Sequence, residues 1–130
     1  MTTYLLDANV LIALTVSEHE HHERASTWAA DLERFAVCPV IEGALVRFLV
    51  RIGESIRAAI EVLRAVRAIT RCEFWADSLS YVDADLAHVR GPRQVTDAYL
   101  AGLAISRGGR LATFDEALAN ALPKAVALVP

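Results

Sequence analysis

The sequence predicts an α/β domain in which a short central parallel sheet is sandwiched by helices. Three observations carry that prediction. Short apolar runs alternate with helix-like stretches throughout the chain, the pattern that builds a parallel sheet by crossovers and covers both its faces. The first run, Tyr4, Leu5 and Leu6, reads as a short buried strand that turns directly into a helix at Asp7. The chain has 130 residues, 55% of them hydrophobic and 22% charged, which excludes disorder and suits one domain over residues 1–130 with a real core. No internal repeat, low-complexity segment or linker suggests a boundary.

The elements follow in order. Asp7 stands where a strand gives way to the helix carrying Val10, Leu11 and Ile12, and on its own it reads as that helix's N-cap. Ser17 and Glu20 have capping-box spacing and predict a second helix, with Ala25, Trp28, Ala29 and Leu32 as its apolar stripe. The histidines 19, 21 and 22 at its start would point to different sides of a helix, so a solvated first turn is expected rather than a metal site. Phe35 to Val40 predicts a second strand, and Glu42 then heads a helix running to about Ile52. A helix from about Ala58 to Ile69 follows the break at Gly53. At 100° per residue Arg57, Arg64, Arg67 and Arg71, in and beside this helix, fall within an arc of about 80°, a candidate stripe for RNA or partner contact. Cys72 to Trp75 predicts a third strand, and Asp77 to Val89 a polar, partly helical connection. After the Gly91–Pro92 turn, Val95 to about Arg107 predicts a strongly apolar helix with Asp97 in its first turn, stopped by Gly108 and Gly109. Leu111 to Phe114 predicts a strand, Asp115 stands at its end, and Glu116 to Leu122 a short helix. Thr113 and Glu116 have capping-box spacing. Ala125 to Val129 predicts the last strand.

Charge and cysteine content narrow the function. Lys plus Arg is 13 and Asp plus Glu 16, a net charge of −3. That is not the bulk charge of a protein that coats nucleic acid, so any such contact must use a local basic patch or a cation. Cys38 and Cys72 match no metal-ligand spacing and read as small buried hydrophobes. No basic-then-apolar leader precedes Tyr4 and no apolar stretch reaches about 18 residues, so a cytoplasmic protein without a membrane span is expected.

The carboxylates are the chemical signal. In a parallel sheet the carboxyl ends of the strands share one edge, where such folds bind ligands. Asp7, Glu42 and Asp115 each follow a strand, and Asp97 heads a helix able to reach the same edge. Each alone is explained by capping or the helix dipole. Four together would repel one another unless a cation lay between them. Oxygen donors without Cys or a well-placed His select a hard divalent ion, Mg²⁺ or Mn²⁺. Such an ion also lets an acidic protein hold a phosphate backbone.

At these residues the sequence resembles the PIN-domain ribonucleases, and more narrowly the VapC toxins of bacterial toxin–antitoxin pairs. The resemblance rests on Leu6-Asp7-Ala8-Asn9-Val10, on Glu42, on Val95-Thr96-Asp97-Ala98-Tyr99-Leu100 and on Leu111-Ala112-Thr113-Phe114-Asp115, in order across essentially the whole chain. It implies a single PIN-like domain whose acidic metal pocket is Asp7, Glu42, Asp97 and Asp115. Asp7 and Asp97 would be direct ligands, and Asn9 and Thr113 supporting groups. It further implies Mg²⁺-dependent endonucleolytic cleavage of RNA to 5′-phosphate and 3′-hydroxyl ends, a homodimer, and neutralisation by a small VapB-like antitoxin. The Gly91-Pro92-Arg93-Gln94 lead-in departs from the family's usual His before that glutamine, which leaves open how Arg93 and its neighbours contact RNA or a partner.

Two other readings compete. A haloacid-dehalogenase-like phosphatase would also use a strand-end Asp, as nucleophile. It needs a second Asp two residues later and a lysine, whereas Asn9 occupies that position and Lys124 is the only lysine. A non-catalytic binding module would use the acidic crevice or the arginine stripe without chemistry.

Overall fold

Five short parallel strands form the centre of the molecule, and the computed structural model describes all residues 1–130. They are β1 (Tyr4–Leu6), β2 (Phe35–Val37), β3 (Cys72–Phe74), β4 (Arg110–Thr113) and β5 (Val126–Leu128), in the spatial order β3-β2-β1-β4-β5. All four pairings are parallel, with Leu6 opposite Ala112 at the β1–β4 junction. The strands most enclosed are the most apolar: Leu5, Leu6, Ala36, Val37, Leu111 and Ala112 are fully buried. Edge strand β3 is only partly buried, and Glu73 on it pairs with Arg34 and accepts from the Trp75 indole, charged decoration that discourages further strand pairing.

The helices are α1 (Ala8–Thr15), α2 (His22–Ala30), α3 (Pro39–Arg51), α4 (Ile56–Arg67), α5 (Val95–Ser106) and α6 (Glu116–Ala121), with a 3₁₀ turn at Pro92–Gln94. Crossovers from β1 towards β3 run through α1–α4, and those beyond it through α5 and α6. Right-handed connections put these two sets on opposite faces. The chain reverses direction across the sheet at the junction of β1 and β4, so a crevice opens beyond the carboxyl ends of these two strands. Their close approach depends on Gly109, where a Cβ would stand 2.3 Å from the Thr3 carbonyl oxygen. No helix is long and apolar enough to cross a membrane, and both cysteines are free.

Several local expectations differ from what forms. The Ser17–Glu20 capping box is absent: residues 17–21 turn, and α2 starts at His22 with no side-chain cap. Local side-chain bonds displace it, since the His19 ring accepts from the His21 N–H at 3.0 Å and the His22 ring bonds the Ala13 carbonyl at 2.7 Å. The 77–89 connection contains no helix; β1 matches its run, β4 is shifted by one residue from its predicted run, and β2, β3 and β5 are shorter than theirs, most visibly where Pro39 opens α3 rather than extending β2.

Candidate functional site: a carboxylate crevice at the sheet switch point

Asp7 leaves β1 with its N–H bonded to the Ala112 carbonyl at 2.9 Å, so the sheet ladder itself fixes its position. Its Oδ1 accepts the Ala8 N–H at 2.8 Å as the α1 cap, and its Oδ2 accepts the Thr113 hydroxyl at 2.8 Å. The predicted cap is therefore real, and it uses only one oxygen. Thr113 does not form a capping box with Glu116. Its hydroxyl donates to Asp7 and accepts the Asp115 N–H at 3.1 Å, which ties β1 to β4 directly below the crevice. Asp115 caps α6 through the Leu118 N–H at 3.1 Å. Asp97 stands in the first turn of α5, and no hydrogen bond engages its carboxylate.

The crevice is lined by Asp7, Asp97, Asp115, the exposed Asn9, and Val40, Ala44 and Arg47 of α3, among others, and encloses about 300 Å³. Two of these carboxylates, Asp7 and Asp97, are held above the ordinary range, chiefly by burial and further by neighbouring negative charge. Burial pushes Asp7, only 8% exposed, above the ordinary carboxylate range; its hydrogen bonds from Thr113 and Ala8 hold it back in part, and Asp115 adds to the rise. Burial, then the charges of Asp7 and Asp115, push Asp97 up to about 6. No Lys, Arg or His pairs with any of the three.

Glu42 does not join them. It pairs with Arg67 at 3.4 Å and is 16% exposed, on the side of α3 that faces α4 and β3. Helical phase is the reason. Val40, Ala44 and Arg47 fall within about 60° of arc on the crevice face, while Glu42 lies about 200° from Val40.

The arginine stripe is largely engaged as well. Arg64 pairs with Glu61, Arg67 with Glu42 while lying over the Phe74 ring, and Arg71 donates to the Ala29 and Leu32 carbonyls at the end of α2. Arg93 is exposed in the 3₁₀ turn, away from the crevice lining. Sequence reasoning missed Arg47, the cation that does reach the crevice; its i+7 spacing from Val40 was the available signal. It also missed His88 and Arg90, in a hollow that adjoins Asp97 and Asp115.

The donor set fits a hard divalent ion. It is all oxygen, unpaired and self-repelling, so a cation relieves the repulsion that lifts Asp97. As they stand, Asp7, Asp97 and Asp115 line one crevice without drawing together into a three-residue metal cluster, so holding an ion there calls for side-chain movement or for water in part of its shell.

A doubly wound parallel sheet with carboxylates gathered at its switch point defines a small family of candidates, and comparison with known proteins selects one. The PIN domain family matches residues 4–121, and the chain belongs to that family. Within it the likeness is to VapC-type members. Ribonuclease VapC29 of Mycobacterium tuberculosis is 54% identical over 98% of this chain and 97% of its own length. Ribonuclease VapC44 of the same organism is 37% identical over 93% of this chain and 92% of its own. Among solved structures, Mycobacterium tuberculosis VapC20, a sarcin–ricin-loop-cleaving toxin, superposes with a TM-score of 0.70 at 17% identity, covering 91% of this chain and 94% of that one. A toxin–antitoxin complex from Klebsiella pneumoniae gives 0.65 at 18% identity, covering 95% of each chain. At those identities the structural likeness speaks to the fold. VapC-type PIN ribonucleases are generally dependent on a divalent metal.

Proposed function

We propose that this chain is a metal-dependent endoribonuclease acting as the toxin of a toxin–antitoxin pair. In this reading residues 1–130 are one domain, Mg²⁺ or Mn²⁺ is held by Asp7, Asp97 and Asp115, and RNA is the substrate. The observation that carries it is the meeting of three carboxylates, free of any paired side-chain cation, in one crevice at the switch point. Near-full-length identity of 54% to a ribonuclease supports the same reading. A small VapB-like antitoxin, a homodimeric state and a cytoplasmic location belong to the reading by family likeness.

When bound, the ion supplies positive charge for a phosphodiester and acidifies nearby water. The chain's own residues do the rest. Thr113 and the Ala8 N–H each occupy one lone pair of Asp7, locking the carboxylate plane and leaving each oxygen a second lone pair for a ligand. Asp115 commits one oxygen to Leu118 and keeps the other free. Asp97 has no hydrogen-bond or ion-pair partner, so both of its oxygens are free to face the ion or a water beside it. Arg47, on the crevice wall, can neutralise a phosphate oxygen.

The test is cleavage of a single-stranded RNA pool by wild type, Asp7→Asn and Asp97→Asn in Mg²⁺. Loss of cleavage in both variants with circular dichroism unchanged is expected. Full activity in either would sink this assignment.

A further inference from the structure

Beside the carboxylate crevice lies a second hollow of about 350 Å³, bounded by Asp97 and Asp115 on one side. The two hollows share those carboxylates, so an extended chain lying over the crevice continues into the second. Its far wall is the loop carrying His88 and Arg90, and its floor is the apolar flank of α6, Leu118 and Ala121.

Two features of this hollow serve no purpose in the fold. Both ring nitrogens of His88 are screened from solvent and have no hydrogen-bond partner. A buried imidazole left this way carries the cost of unmade hydrogen bonds, which native structures rarely tolerate without a use. The Arg90 guanidinium is exposed and has neither an ion pair nor a hydrogen bond. Its backbone, by contrast, is held: the Gln94 side-chain oxygen accepts the Arg90 N–H at 2.6 Å. The loop is pinned while its imidazole is left unpartnered and its cation free in solvent.

A half-turn of the His88 ring about χ2 exchanges each nitrogen for a ring carbon within the same outline. His88 lines the hollow and is only half-buried, so that turn is the change by which its nitrogens would meet a ligand there. An apolar floor, a hydrogen-bonding ring and a cation at the rim are the three things one nucleotide asks for: a wall for base or ribose, a partner for a base edge, and a charge for a phosphate.

We propose that this hollow is a nucleotide subsite, holding the RNA residue next to the scissile phosphodiester, with His88 meeting the base and Arg90 the flanking phosphate. The assignment rests on the ribonuclease reading above and adds a source of sequence preference to it. Arg47 lines the carboxylate crevice and Arg90 the hollow that shares Asp97 and Asp115 with it, so the RNA backbone meets a cation in each.

The experiment uses the purified full chain and a randomised pool of single-stranded RNA oligonucleotides in Mn²⁺. Cut sites are sequenced and kcat and KM measured for wild type, His88→Phe and Arg90→Ala. Phe keeps the ring outline and removes the nitrogens. His88→Phe should flatten base preference at one position beside the cut and raise KM about five- to tenfold, leaving kcat within about twofold. Its Tm should not fall, since the fold gives those nitrogens no bond to lose. Arg90→Ala should raise KM and reduce the salt dependence of binding by about one phosphate contact. Unchanged cut-site profiles and KM in both variants, beside an active wild type, would overturn the subsite. So would a marked fall in Tm of His88→Phe, which would make His88 a structural group. An inactive wild type would overturn the ribonuclease reading itself, and the subsite with it.

Discussion

Replacing Asp97 by Asn should stabilise the metal-free protein while removing a group its proposed chemistry needs. The carboxyl is pushed from 3.8 to about 6 by burial and by Asp7 and Asp115. At about 1.4 kcal/mol per unit the gross effect is about 3 kcal/mol. Asp97 lies in an open crevice, and solvent screening cuts this to about 1–2 kcal/mol. The sign follows from linkage. With the folded-state pKa above the unfolded one, the folded chain holds the proton more tightly. The stabilisation is complete below 3.8 and is lost as pH rises through about 6. At pH 7.5 in EDTA the ionised Asp97 therefore works against the fold, and Asn removes that charge with little change in shape. For a chain of this size, about 1–2 kcal/mol corresponds to a rise in Tm of about 4–8 °C. Thermal melts followed by circular dichroism at pH 7.5 and pH 4 would measure it. The gain should nearly vanish at pH 4, where the wild-type carboxyl is largely protonated in the folded state. A Tm equal to or below wild type at pH 7.5, or a gain of the same size at both pH values, would refute the electrostatic reasoning.

Three further outcomes can be checked together. Thr113→Val keeps the side-chain volume and removes the buried hydroxyl that bonds Asp7 and Asp115. Urea denaturation at pH 7 should show a loss of about 1.5–3 kcal/mol, with Asp7 driven to a still higher pKa. Arg47→Ala, at an exposed position, should leave Tm within about 1 °C while lowering kcat/KM for RNA on the order of tenfold, and Arg47→Lys should restore part of it. Mn²⁺ should raise the wild-type Tm at pH 7.5 and do so much less at pH 5, because protons compete for the same carboxylates.

The alternation of apolar runs with helical stretches made the sheet legible, because strands buried on both faces need little else to announce them. Asp7 and Asp115 were legible for the same reason: each sits where an apolar run stops, and in a parallel sheet those stops share an edge. Asp97 was readable from its place in the first turn of a strongly apolar helix. Glu42 was not, since its first-turn position suggested the same edge while helical phase turned it towards Arg67. Phase favoured Arg47 instead, at i+7 from the crevice-lining Val40. The arginine stripe shows a second limit. Arg71 has helical spacing from Arg64 and Arg67, yet α4 ends at Arg67 and carbonyls 39 and 42 residues away in sequence claim its guanidinium. Such long-range partners leave no local trace. For Thr113 local spacing offered only a cap; its bond to a residue 106 positions earlier, supporting the pocket, was signalled by the family resemblance alone.

The central claim is that Asp7, Asp97 and Asp115 hold the divalent ion that RNA cleavage requires, without Glu42. The most direct measurement is the rate of RNA cleavage across a manganese titration for wild type, Glu42→Gln and Asp97→Asn. Wild type and Glu42→Gln should share one midpoint and comparable rates. Asp97→Asn should be more than about a hundredfold slower at every concentration, and EDTA should abolish cleavage in all three. Cleavage that persists in EDTA, or a Glu42→Gln variant as impaired as Asp97→Asn, would contradict the account.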